Sequence, residues 1–366
     1  NGVTVLPGRG RLLDNKTIQV TTNEAETLIK AKHIILATGS EPMRLPIDGA
    51  TGENVIDSTQ ALELEELPES MVIIGGGVIG MEFAFIFARL GVKVTVIEYL
   101  DEILSLIDSD LSHEVFRSAR TAGIKIHTSA KVTSIMEGED GKAIVAFEHA
   151  ESGEPFPEVS GEKVLMAVGR RPFLEGLGAT QIGLELEANG RGIKVDETMQ
   201  TSIENIYAIG DVTGKLMLAH VASHQGLVAM DNILGRKYVM DYHGVPNAIF
   251  TDPEIATVGV REEEAKALGK TVKVGRFPFA GNGKALTLGM SRGFVKLITE
   301  PDTGIIIGGG IVGPGATDLI GEVTLAVQHR LTAEQVARTI HAHPTLPEAI
   351  FEAAWAAESG ALHLAD

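Results

Sequence analysis

Short apolar runs, broken by glycine, proline and clusters of acidic residues, recur along the 366-residue chain, and their spacing predicts alternating strands and helices. The clearest run, Val72-Ile-Ile, passes directly into Gly75-Gly-Gly-Val-Ile-Gly80, a strand ending on Gly75-x-Gly77-x-x-Gly80 that is expected to turn into a helix over 81–90. Val92-Lys-Val-Thr-Val-Ile-Glu98 reads as a second strand and stops on a carboxylate. Strands at 124–127, 143–150 and 163–168 then complete the sheet of one mononucleotide-binding domain. Upstream, residues 1 to about 45 alternate strands and turns. They open with a strand at Asn1-Gly-Val-Thr-Val and close with a buried strand that runs into Thr38-Gly39-Ser40. A linker punctuated by Pro and Gly leads to a short helix near 58–64. Downstream, Ile206-Tyr-Ala-Ile-Gly210-Asp211 is another strand-turn, followed by a helix over 219–234. From about Val245 the pattern changes to an antiparallel sheet with helices. Its strands are expected at 248–250, 257–260, 271–278, 293–298 and 305–312, and its helices at 262–268, 317–329, 333–339 and 347–359.

The glycine motif points to a dinucleotide. Gly75 permits a tight turn, Gly77 lets backbone approach a pyrophosphate, and Gly80 lets the helix pack closely on the strand. A bare strand-to-helix turn would need nothing more, but here a second strand follows and ends on Glu98, about 20 residues on, where ribose hydroxyls can donate to it. Tyr99, Leu100 and Asp101 come next, with no adjacent Arg or Lys, so a 2′-phosphate would meet negative charge. The expected ligand is NAD(H) rather than NADP(H).

Composition narrows the remaining classes. Forty-nine acidic against 31 basic residues leave a formal charge of −18, which argues against nucleic acid as a partner. No apolar run reaches the roughly 18 residues of a membrane span, and the start of the chain reads as neither a signal nor a transit peptide but as a fold already under way. Cysteine is absent, which excludes disulfides, thiolate metal sites and thiol redox chemistry by these residues.

Six segments occur in a telling order: Ile34-Ile-Leu-Ala-Thr-Gly-Ser40, Gly75 to Glu82, Val168-Gly-Arg-Arg-Pro172, Ile206-Tyr-Ala-Ile-Gly-Asp-Val212, Phe277-Pro-Phe279 and His341-Ala-His-Pro-Thr-Leu-Pro-Glu348. In them the chain, over its whole length, closely resembles the dihydrolipoamide dehydrogenases of the pyridine nucleotide-disulfide oxidoreductase family. The resemblance implies an α/β fold with tandem Rossmann-like FAD- and NAD(P)-binding domains, the FAD domain incomplete, plus a C-terminal α+β dimerisation domain. It divides the chain into the remainder of the FAD-binding domain (1–66), the NAD-binding domain (67–192), a flavin-contacting return segment (193–246) and the interface domain (247–366). It further implies a homodimeric, redox-active oxidoreductase, a flavoprotein that passes electrons from dihydrolipoamide through a protein disulfide and FAD to NAD⁺. Such an enzyme serves the lipoyl domains of 2-oxoacid dehydrogenase or glycine cleavage complexes, in bacterial cytoplasm or the mitochondrial matrix, with no metal, nucleic acid or membrane involved.

Carried over residue by residue, the resemblance assigns Gly10, Thr38, Gly39, Ser40 and Asp211 to the FAD site, with Met217, Leu218, Ala219 and His220 presenting a helix N-terminus to the flavin ring. Gly75, Gly76, Gly77, Val78, Ile79, Gly80, Glu82, Glu98, Val132 and Gly169 would line the NAD site. His343 would take a thiol proton, oriented by Glu348, both reaching the partner subunit's flavin. An imidazole suits general-base work, and a carboxylate on its other nitrogen sets the tautomer. His341 is expected to be structural, and His220 is wanted for its backbone amide.

The family's own first FAD strand, its CxxxxC disulfide and a nearby lysine that would pair with Glu82 do not occur. On the order of a hundred residues are expected ahead of Asn1 in a complete enzyme, and the 366 residues alone should not catalyse the dithiol reaction. The competing reading is a non-catalytic NAD-binding and dimerisation fragment; retention of a flavin pocket and the His343/Glu348 pair argues against it. Glutathione or mercuric reductases would carry a different nucleotide preference or C-terminal string. As simpler readings, Glu82 would be a surface carboxylate near a helix start, Phe277 and Phe279 core, and Glu63 to Glu66 and Glu262 to Glu264 solvated helix faces. Ile350, Phe351, Ala354 and Trp355 mark one buried stripe of the last helix, which the resemblance implies would pack at the dimer interface.

Overall fold

In the computed structural model, which describes residues 2–23 and 25–363, the strand Ser70–Ile74 is buried from Met71 onward. It lies at the centre of a five-stranded parallel sheet in the order Val55–Ile56, Lys163–Met166, Ser70–Ile74, Lys93–Ile97, Lys125–His127. Alternation along a strand sends successive side chains to opposite faces, and both faces are covered. Met71 and Ile73 pack with Val94 and Val96 against the helices Val78–Arg89 and Ser109–Thr121. Val72 and Ile74 pack against Val132, Val145 and Phe147 of a second layer, the antiparallel sheet Ala130–Glu137, Ala143–His149, Val159–Gly161. Burial on both sides explains why the parallel strands read as unbroken apolar runs. It also corrects an expectation: residues 143–149 belong to this covering sheet and not to the parallel one.

The antiparallel C-terminal sheet runs Pro246–Ile249, Glu254–Gly259, Ile306–Gly313, Phe294–Thr299, Lys273–Pro278. Helix Glu348–Glu358 lies on its last two strands and buries Ala349, Ile350, Ala353, Ala354 and Ala357, while Phe351 and Trp355 stay half-buried. Phe277 and Phe279 are core residues, as expected. The strand Ile306–Gly313 contains a second Gly-x-Gly-x-x-Gly, Gly308 to Gly313, which stays extended and forms no turn.

These two sheets share one compact unit, made of Arg44–Gly169 and the chain from His243 onward. Ile249, Ile255, Phe294 and Val312 join the same apolar cluster as Met81, Phe85, Ile103 and Leu111. At this seam sits a buried cation. Lys296, its side chain 2% exposed, donates to Asp108 (2.6 Å) and to Asp110 (2.9 Å), with Glu262 at 3.5 Å. Each of two helices is also capped from the other. Asp108 accepts from the Glu262 and Glu263 amides at the start of helix Glu262–Ala267, and Glu263 accepts from the amide and hydroxyl of Ser109 at the start of helix Ser109–Thr121. Glu262 and Glu263 are therefore tertiary partners as well as members of the acidic face expected from their sequence run, on which Glu263 and Glu264 stay exposed.

The other unit comprises the chain up to Met43 with Arg170–Tyr242. It holds a meander of Arg9–Leu12, Thr17–Thr21 and Glu26–Lys30, a parallel pair Ile34–Leu36 with Ile206–Ala208, and an antiparallel pair Ser40–Pro42 with Arg170–Pro172. A 3₁₀ turn, Gly210–Thr213, precedes helix Ala219–Ile233. The strand expected at the start is not formed: Val3 and Val5 are exposed and outside any strand, because alternation without a pairing neighbour leaves their backbone groups to water, and Asn1 lies outside the described residues. Among the described residues no helix is long and apolar enough to cross a membrane.

Burial pushes the Asp108 carboxyl up, but the Lys296 ammonium and the two amides outweigh it and hold it below the usual carboxylate range. Burial pushes Lys296 down, and its bonds to Asp108 and Asp110 outweigh that and hold it above the ordinary lysine value. A lowered acid stabilises the fold above its unfolded pKa, and a raised base stabilises it below its own. The pair's contribution is thus full at neutral pH and lost below about pH 4 and above about pH 10.5. Lys296→Met, which strands a buried carboxylate, is expected to cost about 3–5 kcal/mol at neutral pH in urea unfolding. A smaller loss for the variant at low pH, where wild type also forfeits the pair, is the accompanying signature.

Candidate functional site

The glycine turn takes its shape from close backbone approach. Gly75 has φ of 108°, and a Cβ there would stand 2.4 Å from the Ala167 carbonyl oxygen. A Cβ on Gly80 would lie 1.9 Å from the Gly75 carbonyl oxygen, so only glycine lets the helix seat on the strand. Gly77, the N-cap of helix Val78–Arg89, has an ordinary φ of −72° and open space where its Cβ would be. No side chain caps this helix, leaving its first amides for a ligand. The cradle fits a pyrophosphate. Beside it Glu98, 9% exposed, accepts from the amides of Gly76 and Leu100 (2.8 Å), so the carboxylate is held at the turn by backbone donors. Val78 and Ile79 open the helix, Val132 is buried against Val72 and Ile74 of the parallel sheet, and Gly169, at φ 118°, follows the neighbouring strand Lys163–Met166.

Glu82, in the second turn of that helix, is half-buried and accepts from the Phe250 amide at 2.9 Å. Burial pushes its carboxyl above the ordinary range, with the Phe250 bond opposing. The surface-carboxylate reading is thereby corrected. A second tie, Arg89 to Asp252, joins the same helix to the same segment.

In the other unit, Ser40 donates to Asp211 (2.5 Å) and accepts from Arg170 Nε (2.7 Å), while Arg170 Nη2 reaches the Ser40 carbonyl (2.8 Å). Thr38 donates to the Phe173 carbonyl at 2.7 Å, and Gly39, at φ 73°, faces open space. The Gly210 amide is held by the buried Gln225. Leu218 is the N-cap of helix Ala219–Ile233, again without a side-chain cap, with Met217 before it and His220 in its first turn. Carboxylate, hydroxyls and free helix amides form a donor and acceptor set suited to a polyol and a ring carbonyl, the parts of a flavin nucleotide. Gly10 lies in the meander opposite Val20, apart from the Ser40–Asp211–Arg170 group. Arg170 was not picked out from sequence, although Gly169-Arg-Arg-Pro172 was the available signal.

The third constellation is a histidine. His343 Nδ1 meets Glu348 Oε1 at 2.9 Å, and Glu348 Oε2 accepts from the Thr345 amide at 2.8 Å. Burial pushes the Glu348 carboxyl up, but the Thr345 amide and His343 outweigh it and hold it low. An ionised acceptor places the proton on Nδ1 and the lone pair on Nε2. The ring is 78% exposed, and Nε2 has no partner among the described residues. His341 is the opposite case: its side chain is 8% exposed and both nitrogens are engaged, by the Thr339 carbonyl and Glu322 (2.8 Å each).

Comparison with known proteins gives a consistent picture. Residues 1–226 match the family described as pyridine nucleotide-disulphide oxidoreductase, and residues 245–354 match its dimerisation domain. A dihydrolipoyl dehydrogenase of Chlamydia pneumoniae is 44% identical over 99% of this chain and 76% of its own length. LpdA of Mycobacterium tuberculosis is 33% identical with a TM-score of 0.87, covering 96% of this chain and 77% of its own. The HOCl-induced flavoprotein disulfide reductase RclA of Escherichia coli is 28% identical with a TM-score of 0.85, over 95% of this chain and 78% of its own.

Two glycines a turn apart should separate binding from folding. Gly77→Ala is expected to leave the melting temperature unchanged yet weaken NAD(H) binding at least about tenfold, ~1.4 kcal/mol. Gly80→Ala should instead lower stability by at least about 1–3 kcal/mol through overpacking. Calorimetric titration with NADH alongside thermal melts distinguishes the two.

Proposed function

The chain belongs to the pyridine nucleotide-disulphide oxidoreductase family, and on that premise we propose that it works as a dihydrolipoyl dehydrogenase, converting dihydrolipoamide and NAD⁺ to lipoamide, NADH and a proton. The observation that carries this reading is His343, an exposed imidazole with Nε2 open and Nδ1 fixed by an ionised Glu348. A disulfide-exchange enzyme needs such a base to take a thiol proton, whereas a module that only binds nucleotide has no use for one.

Nε2 of His343 accepts the thiol proton, and Glu348 stabilises the imidazolium from the Nδ1 side. The turn Gly75 to Gly80 and Glu98 hold NAD(H), and the absence of a cation beside Glu98 selects against a 2′-phosphate. Ser40, Asp211, Thr38 and the start of helix Ala219–Ile233 hold FAD, which when bound carries the electron pair between disulfide and nicotinamide. In this reading residues 1–66 and 193–246 serve the flavin, 67–192 the NAD and 247–366 the interface of a homodimer, in which His343 faces the partner's flavin. The physiological partners are lipoyl domains of 2-oxoacid dehydrogenase or glycine cleavage complexes, in bacterial cytoplasm or mitochondrial matrix. No cysteine occurs in the 366 residues, so none of them carries the dithiol exchange itself. The alternative is an NAD-binding and dimerisation fragment without catalysis, against which the retained His343–Glu348 pair weighs.

NADH formation from dihydrolipoamide decides between them. The 366 residues alone should give none, and fusion to the flavin-binding, CxxxxC-bearing segment of a relative should restore it. In that fusion His343→Gln should lower kcat by about 10²–10⁴-fold, and Glu348→Gln should act in the same direction. A fusion that remains inactive, or one indifferent to His343→Gln, leaves only the binding module.

A further inference from the structure

The outer edge of the parallel sheet carries a groove that the dinucleotide chemistry does not use. Two hollows, of about 490 and 550 Å³, share Phe116 and Arg120; the first lies between helix Ser109–Thr121 and the edge strand Lys125–His127, and the second continues along the helix. Phe116 and Ile126 are half-buried and give the groove an apolar floor. Arg117, Arg120 and Lys125 are exposed along it. Arg117 is engaged by Glu114 (2.8 Å), whereas Arg120 and Lys125 have no ion-pair partner among the described residues. The ring of His127 is backed edge-on by Phe147 and Phe156. Burial and the Lys125 ammonium hold that imidazole below its ordinary value, so the groove's charge at neutral pH comes from its arginines and lysine.

Two features single out the occupant. Lys125–His127 pairs with Lys93–Ile97 on one side only, among the described residues, so its other edge offers backbone donors and acceptors to an added strand. Arg120 and Lys125 stand side by side along the groove with no carboxylate of their own among the described residues, so the acidic side chains of an incoming strand would meet uncompensated positive charge there. We propose that the groove receives an extended acidic segment of a partner protein, paired by backbone to Lys125–His127, with its carboxylates on Arg120 and Lys125 and alternate apolar side chains on Phe116 and Ile126.

The test is fluorescence anisotropy with a short labelled peptide of alternating glutamate and valine, titrated with wild-type chain and with the doubly charge-reversed Arg120→Glu/Lys125→Glu, at low and at physiological salt. Binding that weakens with salt, falls about tenfold or more in the double variant, and slows amide exchange within Lys125–His127 is the expected result, with NADH affinity unchanged. Equal affinity of both proteins for the peptide, equal binding of the lysine–valine counterpart to wild type, or binding without protection of that strand would overturn it. Tighter binding of inorganic polyphosphate that displaces the peptide would also overturn it, by making the groove a simple anion site.

Discussion

A buried ammonium ion constrains how the larger unit can be assembled. Lys296 sits on a strand buried along its whole length, its charge removed from bulk solvent, so the carboxylates of Asp108, Asp110 and Glu262 converge on it. Asp108 and Asp110 precede and open the helix Ser109–Thr121 that covers the parallel sheet, while Glu262 opens a helix of the C-terminal sheet. Satisfying one cation therefore sets the placement of both sheets. The reciprocal capping through Asp108 and Glu263 makes the placement directional, because neither helix start is satisfied unless the other is in position.

Two histidines two residues apart show how environment divides roles. His341 and His343 each face a glutamate, but His341 is enclosed and spends both nitrogens on fixed acceptors, locking the loop to helix Ala316–Gln328. His343 spends one nitrogen and leaves the other to solvent. The first is a structural bracket for the second, and the chemistry of a base belongs only to the ring with a free lone pair.

Glu82 and Arg89 tie helix Val78–Arg89 to residues 250–252, the turn between the first two strands of the C-terminal sheet. The amides that would meet a pyrophosphate and the domain that carries His343 are thus joined through one helix.

Local pattern alone determined the strands Ser70–Ile74 and Lys93–Ile97 and the helix after Gly77, while the pairing of His343 with Glu348 was implied by the family resemblance. Each is set by steric or hydrogen-bonding demands within a few residues, such as an apolar run buried on both faces, a turn only glycine can make, and a carboxylate five positions from an imidazole. What it left open is clearest in the glycine motifs. Gly75 to Gly80 and Gly308 to Gly313 share one Gly-x-Gly-x-x-Gly pattern, yet the first turns into a helix and the second continues as a strand. The difference lies in what stands nearby: Gly75 and Gly80 close on each other and on Ala167, whereas a Cβ on Gly310 would strike Leu111 of a helix 199 positions away in sequence. The same holds for Glu262 and Glu263, whose bonds to Lys296 and Ser109 no charge pattern reveals, and for Arg170, whose role depends on Ser40 and Asp211. Burial and charge compensation depend on partners distant along the chain, and only the folded structure brings those partners within reach.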